Sequence, residues 1–97
     1  MIVHIVMFKF KDENKAFNIA KVKAKLENLE KSIDVLKTIE VGINFNESDR
    51  AMDLSLYSTF ATEEDLKIYA THEEHLKVVA FIKEVTVESK VVDYVLE

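Results

Sequence analysis

The 97-residue sequence is 48% hydrophobic and 32% charged, and its length predicts one domain over residues 1–97 around one core. Because 13 basic and 18 acidic residues give a net charge of −5, nucleic acid and anionic membranes are disfavoured as partners. The lack of cysteine excludes a disulfide framework and a thiolate zinc site, and the single glycine excludes the glycine-rich loops of nucleotide-binding folds.

The first predicted strand, Ile2 to Phe10, is apolar on both faces. The odd-numbered residues from Val3 to Met7 lie on one face, and His4 lies among apolar residues on the other. One layer of helices covers only one face of a sheet. The apolar character of the second face therefore predicts that another sheet covers it. Because the chain is too short to contain that sheet, a second subunit would supply it.

A long helix and a β-hairpin follow. Apolar residues recur at steps of three and four from Ile19 to Leu36, which predicts an amphipathic helix over about Asn14 to Ser32. Lys37 to Phe45 and Met52 to Phe60 alternate between apolar and polar residues, and a short polar loop joins them into a hairpin. The inner face of the first of these strands carries Ile39, Val41, Ile43 and Phe45.

Two helices and a last strand complete the chain. Thr62 begins one segment with capping-box spacing and Thr71 begins another, which predicts two separate helices. The second should cover about His72 to Glu84, with Leu76, Val79 and either Ile82 or Lys83 near its inner edge. Thr86 to Leu96 reads as a final strand that is buried on both faces.

The element order is β-α-β-β-α(α)-β, which is the α+β, ferredoxin-like plan: a four-stranded antiparallel sheet with helices on one face. The uncovered apolar face predicts a homodimer that pairs two sheets into a dimeric α/β barrel.

Four residues are suited to proton chemistry near neutral pH: Tyr69, His72 and His75 within one short stretch, and His4 near the start of the chain. Each has a structural explanation as well. His4 suits a buried strand, His72 suits a helix N-cap, and Tyr69 and His75 suit aromatic packing. The three histidines also match the ligand count of a catalytic zinc, although no His-Glu-x-x-His pattern supports a metal.

The residues from His4 to Asp12, Gly42-Ile43-Asn44, the stretch from Tyr69 to His75 and Val92-Asp93-Tyr94 together resemble the stress-responsive dimeric α/β-barrel (Dabb) family. The resemblance covers nearly the whole chain. The family usually has proline directly after the first histidine of the Tyr-x-x-His-x-x-His run, where this chain has Glu73. This departure makes the turn less rigid and leaves the predicted fold unchanged.

The resemblance implies a candidate site. In the polyketide cyclases of this family, which perform an aldol condensation, the position of His75 carries the general base. The position of Tyr69 carries the phenol that orients the substrate carbonyl. His4 and His72 match substrate-binding positions, and no cofactor or metal is implied. The same barrel hosts haem-degrading enzymes with an Asn-Trp-His set, but this chain has Asn44 and no tryptophan. The predicted pocket walls are Val6, Phe8, Leu26 and Leu29.

Two functions remain open from the sequence. One is a small-molecule enzyme or binding protein with proton chemistry at His75 and Tyr69. The other is a non-catalytic, stress-associated homodimer whose histidines are packing residues. A pocket without basic residues would disfavour strongly anionic ligands. No apolar run approaches the roughly 18 residues of a membrane span and no signal peptide is recognisable, so we expect a cytoplasmic protein.

Overall fold

An antiparallel sheet of four strands, in the order β2-β3-β1-β4, forms the structure together with three helices. The computed structural model describes residues 1–97. The ferredoxin-like prediction is confirmed. The elements are β1 (Ile2–Phe10), α1 (Lys15–Ser32), β2 (Thr38–Ile43), β3 (Leu54–Phe60), α2 (Glu63–Thr71), α3 (Glu73–Val85) and β4 (Thr86–Val95).

The predicted element boundaries agree with the observed ones to within about two residues, the usual uncertainty of a helix or strand end. At the start of α1, Asn14 occupies the N-cap with φ 51°, a left-handed conformation that asparagine tolerates better than most residues. Its side chain makes no capping bond, so this helix depends on its packing. None of the helices combines the length and the apolar character needed to cross a membrane. A cytoplasmic location stays a prediction.

The core lies between the helices and one face of the sheet. The apolar stripe predicted for α1 is confirmed, because Val22, Leu26 and Leu29 are buried. From β3, Leu54, Leu56 and Phe60 face these side chains, as the alternation of that strand predicts. The helix side of β1 contributes Ile2, Phe8 and Phe10, and α3 contributes Val78 and Ile82.

The opposite face of the sheet, which we call the open face, carries no second layer within the chain. Met7, Val92 and Tyr94 on this face are 41%, 51% and 42% exposed. The last strand is exposed on its other face as well, including Val91 and Val95. Within one chain, the prediction that both faces of the last strand are buried is therefore wrong, because β4 is an edge strand.

Three further burial predictions are wrong. Ile43 is 52% exposed because it is the last residue of β2, which is an edge strand. Phe45 is 95% exposed because it follows the end of β2 and the chain leaves the sheet there. Leu76 is 53% exposed, because the inward stripe of α3 passes instead through Val78 and Ile82. One residue step on a helix rotates a side chain by about 100°, so a small error of phase exchanges an inner for an outer position.

Candidate active site

Both α2 and α3 begin with a side-chain cap. The hydroxyl of Thr62 accepts a hydrogen bond from the backbone N–H of Asp65 at 3.1 Å and starts α2. The ring of His72 accepts from the backbone N–H of Glu74 at 3.0 Å through Nδ1 and starts α3. The N-cap interpretation of His72 is therefore confirmed. The capping bond requires an unprotonated Nδ1 in that ring. The capping box predicted to begin at Thr71 does not form, because the Thr71 hydroxyl donates to the carbonyl of Lys67 at 3.0 Å within α2.

Three of the four predicted site residues meet in one aromatic cluster. The ring of Tyr69 lies 4.3 Å from that of His75 and 6.2 Å from that of His4, measured between centroids. Phe60 completes the cluster, with its ring centroid 5.0 Å from that of Tyr69. His4 on β1 thus lies next to Tyr69 and His75, which are more than sixty residues later in the chain. His72 is not in the cluster and caps α3.

Tyr69 is fully buried, and its hydroxyl has no hydrogen-bond partner. Burial raises the pKa of its phenol to about 12, since the charged form would lose its hydration. The phenol is therefore neutral throughout the physiological range. Most buried hydroxyls are hydrogen-bonded, so the free hydroxyl of Tyr69 is an exception at the centre of the cluster.

Both cluster histidines are held through the same ring nitrogen. Nδ1 of His75 lies 3.1 Å from the carbonyl oxygen of Ala70, which can only accept, so this nitrogen carries the hydrogen. Nδ1 of His4 likewise contacts a carboxylate oxygen of Asp93, the residue directly opposite on β4. In the neutral form of either ring, the lone pair is consequently on Nε2.

The environments of the two rings differ in charge. Burial lowers the pKa of His75, and the hydrogen bond to Ala70 opposes this only in part. The nearby His4 and His72 lower the pKa of His75 further by electrostatic repulsion. His75 is therefore neutral at physiological pH. His4, in contrast, has an anionic partner in Asp93, which can balance a positive charge on its ring.

A cavity of about 280 Å³ lies between the sheet and α3, and both cluster histidines line it. Of the predicted walls, Val6, Phe8 and Leu26 are confirmed, whereas Leu29 is buried in the core beside it. Tyr69 and His72 are not among the lining residues. The remaining lining residues are Leu56, Val79, Ile82, Lys83, Thr86, Ser89 and Val91. The cavity is close to the lower limit of typical ligand sites.

One lining residue of this cavity is basic. The expectation of a pocket without basic residues is wrong, because Lys83 lines the cavity and is itself exposed, which places it at the mouth. The helical spacing predicts either Ile82 or Lys83 near the inner edge of the last helix, and both line the cavity. His75, Val79 and Lys83 are four residues apart in turn and share one side of α3.

The metal interpretation receives no support from the geometry. No three His, Cys, Asp or Glu side chains are grouped closely enough to hold a metal ion. Asn44, the residue shared with the haem-degrading pattern, makes local hydrogen bonds to the backbone of Asn46 at 2.7 and 3.0 Å. These bonds are typical of an asparagine in the loop that follows a strand.

The comparisons with known proteins define the family. The model of the stress responsive A/B barrel domain matches residues 2–96, and the chain belongs to this family. No curated protein sequence matches the chain.

Solved structures share the fold. A dimeric protein of unknown function with a ferredoxin-like fold from Bacteroides fragilis is 36% identical, with a TM-score of 0.87, over 96% of this chain and 93% of that one. A dimeric ferredoxin-like protein of unknown function from Thermobifida fusca is 22% identical, with a TM-score of 0.87, over 98% of this chain and 90% of that one. The hydroxynitrile lyase of Passiflora edulis is 20% identical, with a TM-score of 0.88, over 99% of this chain and 93% of that one.

Proposed function

We propose that the cavity binds a small, largely apolar molecule with a carbonyl group, and that His75 and His4 exchange protons with it. The observation that carries this proposal is that two imidazoles line one apolar cavity while their Nδ1 atoms are engaged elsewhere. Both Nε2 atoms are therefore available to a ligand. The reaction class is cofactor-independent cyclase or lyase chemistry of the aldol type.

His75 has the properties of the general base. Its lowered pKa keeps the ring neutral near pH 7, and its bond to Ala70 leaves the lone pair on Nε2. In the proposed step, the bond between the carbon beside the carbonyl and its hydrogen breaks. The proton goes to Nε2 of His75, and the electron pair of the broken bond forms the enolate.

His4 has the complementary role. When its ring is protonated, both nitrogens donate: Nδ1 to the carboxylate of Asp93 and Nε2 into the cavity. The Nε2–H then stabilises the negative charge that develops on the carbonyl oxygen. Acid and base are thus separate residues, because one has a carboxylate partner and the other a neutral carbonyl partner.

Tyr69 acts in this proposal as a positioning residue. Its ring packs on both histidines, and its raised pKa keeps the hydroxyl neutral. A direct bond from the hydroxyl of Tyr69 to a substrate carbonyl, as the family resemblance implies, stays a prediction. The same is true of a substrate contact by His72, whose ring caps α3.

The likeness to the Passiflora edulis protein concerns the fold, since the two chains are 20% identical. That protein is a lyase by name, so the fold accommodates lyase chemistry there. The present proposal depends on the two imidazoles and the apolar cavity of this chain.

We also propose that a second copy of the chain covers the open face. Met7, Val92 and Tyr94 form an exposed apolar surface there, and such surfaces typically mark contact sites. The Bacteroides fragilis and Thermobifida fusca relatives are described as dimeric, which supports this arrangement.

The alternative function is a non-catalytic homodimer in which the same residues pack. It is favoured by the capping role of His72 and by the edge-to-face contact of His4 with Phe60 at 6.5 Å. This function requires no ligand in the cavity, so ligand binding distinguishes the two proposals.

Binding of nonan-2-one, a neutral methyl ketone, tests the proposed function. A ligand at about 100 times its Kd should stabilise the wild type by about 2.7 kcal/mol in thermal unfolding. Val79→Phe fills the cavity and should abolish this stabilisation. Leu76→Phe adds a ring on the exposed side of the same helix and should preserve it. Stabilisation that is absent from the wild type, or unchanged in Val79→Phe, would refute cavity binding.

A further inference from the structure

Lys83 is a cation at the mouth of the cavity without an anionic partner. The five ion pairs of the structure involve other residues, and no hydrogen bond engages the Lys83 ammonium. It is the only lysine or arginine among the lining residues. Lys77 on the same helix, by contrast, pairs with Glu74 at 2.9 Å and lies outside the cavity. The charge of Lys83 is therefore free to meet a ligand.

The cavity has two chemically different ends along α3. His75 lies at one end and Lys83 eight residues later, which corresponds to about 12 Å along the helix axis. The walls between them are apolar, with Val79 and Ile82 on the helix and Val6 on the sheet. A ligand that used both ends would need a reactive group and a charged group joined by an apolar chain.

We propose that the ligand of this cavity is an oxo-carboxylate, whose carboxylate pairs with Lys83 while its carbonyl lies near the histidines. The position of the carbonyl rests on the proposed function. A single negative charge suits the site because Lys83 is the only cation of the cavity without an anionic partner, whereas His4, when protonated, pairs with Asp93. The net charge of −5 on the chain disfavours a more highly charged anion. The hydroxyl of Ser89, also at the cavity, can donate a second hydrogen bond to the carboxylate. The neighbouring Thr86 hydroxyl already donates to the carbonyl of Ile82 at 2.8 Å.

A lysine in the last turn of a helix also has a structural explanation, because it interacts favourably with the helix dipole. The chain provides a matched control for that effect. Lys31 lies in the last turn of α1, is exposed, has no ion pair and does not line the cavity. Replacement of either lysine by glutamine removes one charge from a helix end, but only one of the two changes the cavity.

The test compares two ligands in three proteins. Nonan-2-one and 8-oxononanoate have the same chain and the same ketone, and they differ in the terminal carboxylate. Calorimetry at low ionic strength should find that the wild type binds the carboxylate about fivefold more tightly, since a partly exposed ion pair has roughly this effect. Lys83→Gln should remove that preference and leave the affinity for the ketone unchanged. Lys31→Gln should retain the preference.

Each outcome has a separate meaning. Equal affinities for the two ligands in the wild type, or a preference that survives Lys83→Gln, overturns the carboxylate assignment even when the ketone binds. A preference lost equally in both variants also overturns it, because it would reflect net charge alone. Binding of 8-oxononanoate that depends on Lys83, without any binding of nonan-2-one, would retain the anion site and refute the proposed carbonyl function.

Discussion

Removal of the Tyr69 hydroxyl should stabilise the protein. The hydroxyl is fully buried and has no partner, and an unsatisfied buried polar group costs about 1–3 kcal/mol. Tyr69→Phe retains the ring and its contacts with His75 and Phe60 and removes only this cost. We expect the free energy of unfolding to rise by about 1 kcal/mol, which shifts the Tm of a domain of this size by roughly 4–8 °C.

Urea unfolding of both proteins at one fixed protein concentration measures this change, because the contribution of association is then the same for both. Phe17→Leu is the control, because Phe17 is 67% exposed on α1, away from the open face, and its substitution should alter stability by less than about 0.5 kcal/mol. A loss of about 1 kcal/mol or more in Tyr69→Phe would contradict the reasoning, because it would mean that the hydroxyl makes a stabilising bond. A gain would also indicate that the hydroxyl is retained at the expense of stability.

Three other predictions concern charge and association. Because the pKa of His75 is lowered in the folded protein, the unfolded chain takes up a proton at higher pH, and stability should decrease as pH falls below about 6.5. Urea titrations at several pH values should show a smaller decrease in His75→Gln. An equal decrease in the two proteins would refute this role of His75. Asp93→Asn should weaken the preference of the His4 ring for the tautomer with its hydrogen on Nδ1, which ¹⁵N NMR spectra would show. It should also slow proton exchange with a bound ketone about tenfold. Unchanged spectra would count against a pair of His4 and Asp93. Val92→Lys on the open face should yield monomers in light scattering. Val95→Lys on the other face of the same strand should remain dimeric. A monomeric wild type would refute the proposed dimer.

The fold was predictable because its signals are local. Period-two alternation in β2 and β3 and the stripe from Val22 to Leu36 each specify an element and its inner face. The capping-box spacings at Thr62 and Thr71 predict the division into two helices, which the structure shows with caps at Thr62 and, one residue later than Thr71, at His72. These patterns require no knowledge of distant contacts.

The site was predictable only in part, because its properties arise from contacts between distant residues. Convergence of His4, Tyr69 and His75 could be inferred from the topology and the family motifs. The pairing of His4 with Asp93 depends on the register of β1 against β4, which alternation alone does not determine. The unsatisfied hydroxyl of Tyr69 is likewise a property of the assembled core.

The burial errors on the last strand have one physical origin. Val92 and Tyr94 are residues that the strand pattern assigns to a covered face, yet one chain supplies no layer over them. Hydrophobic alternation reports that a face is suited to burial, and it does not report which molecule buries it. Lys83 illustrates the converse, since a charged residue that suits a solvent-exposed helix also lines the cavity.

Hydrogen–deuterium exchange at the carbon beside the carbonyl of nonan-2-one tests the central claim most directly. In D₂O, the wild type should accelerate this exchange, because His75 removes a proton and returns a deuteron from the solvent. His75→Ala should lose about 10²–10⁴-fold of the rate, the usual contribution of a positioned general base. Leu76→Ala, a change on the exposed side of the same helix, should retain the rate. Bound ketone that exchanges no faster than free ketone, or equal acceleration by wild type and His75→Ala, would contradict the account.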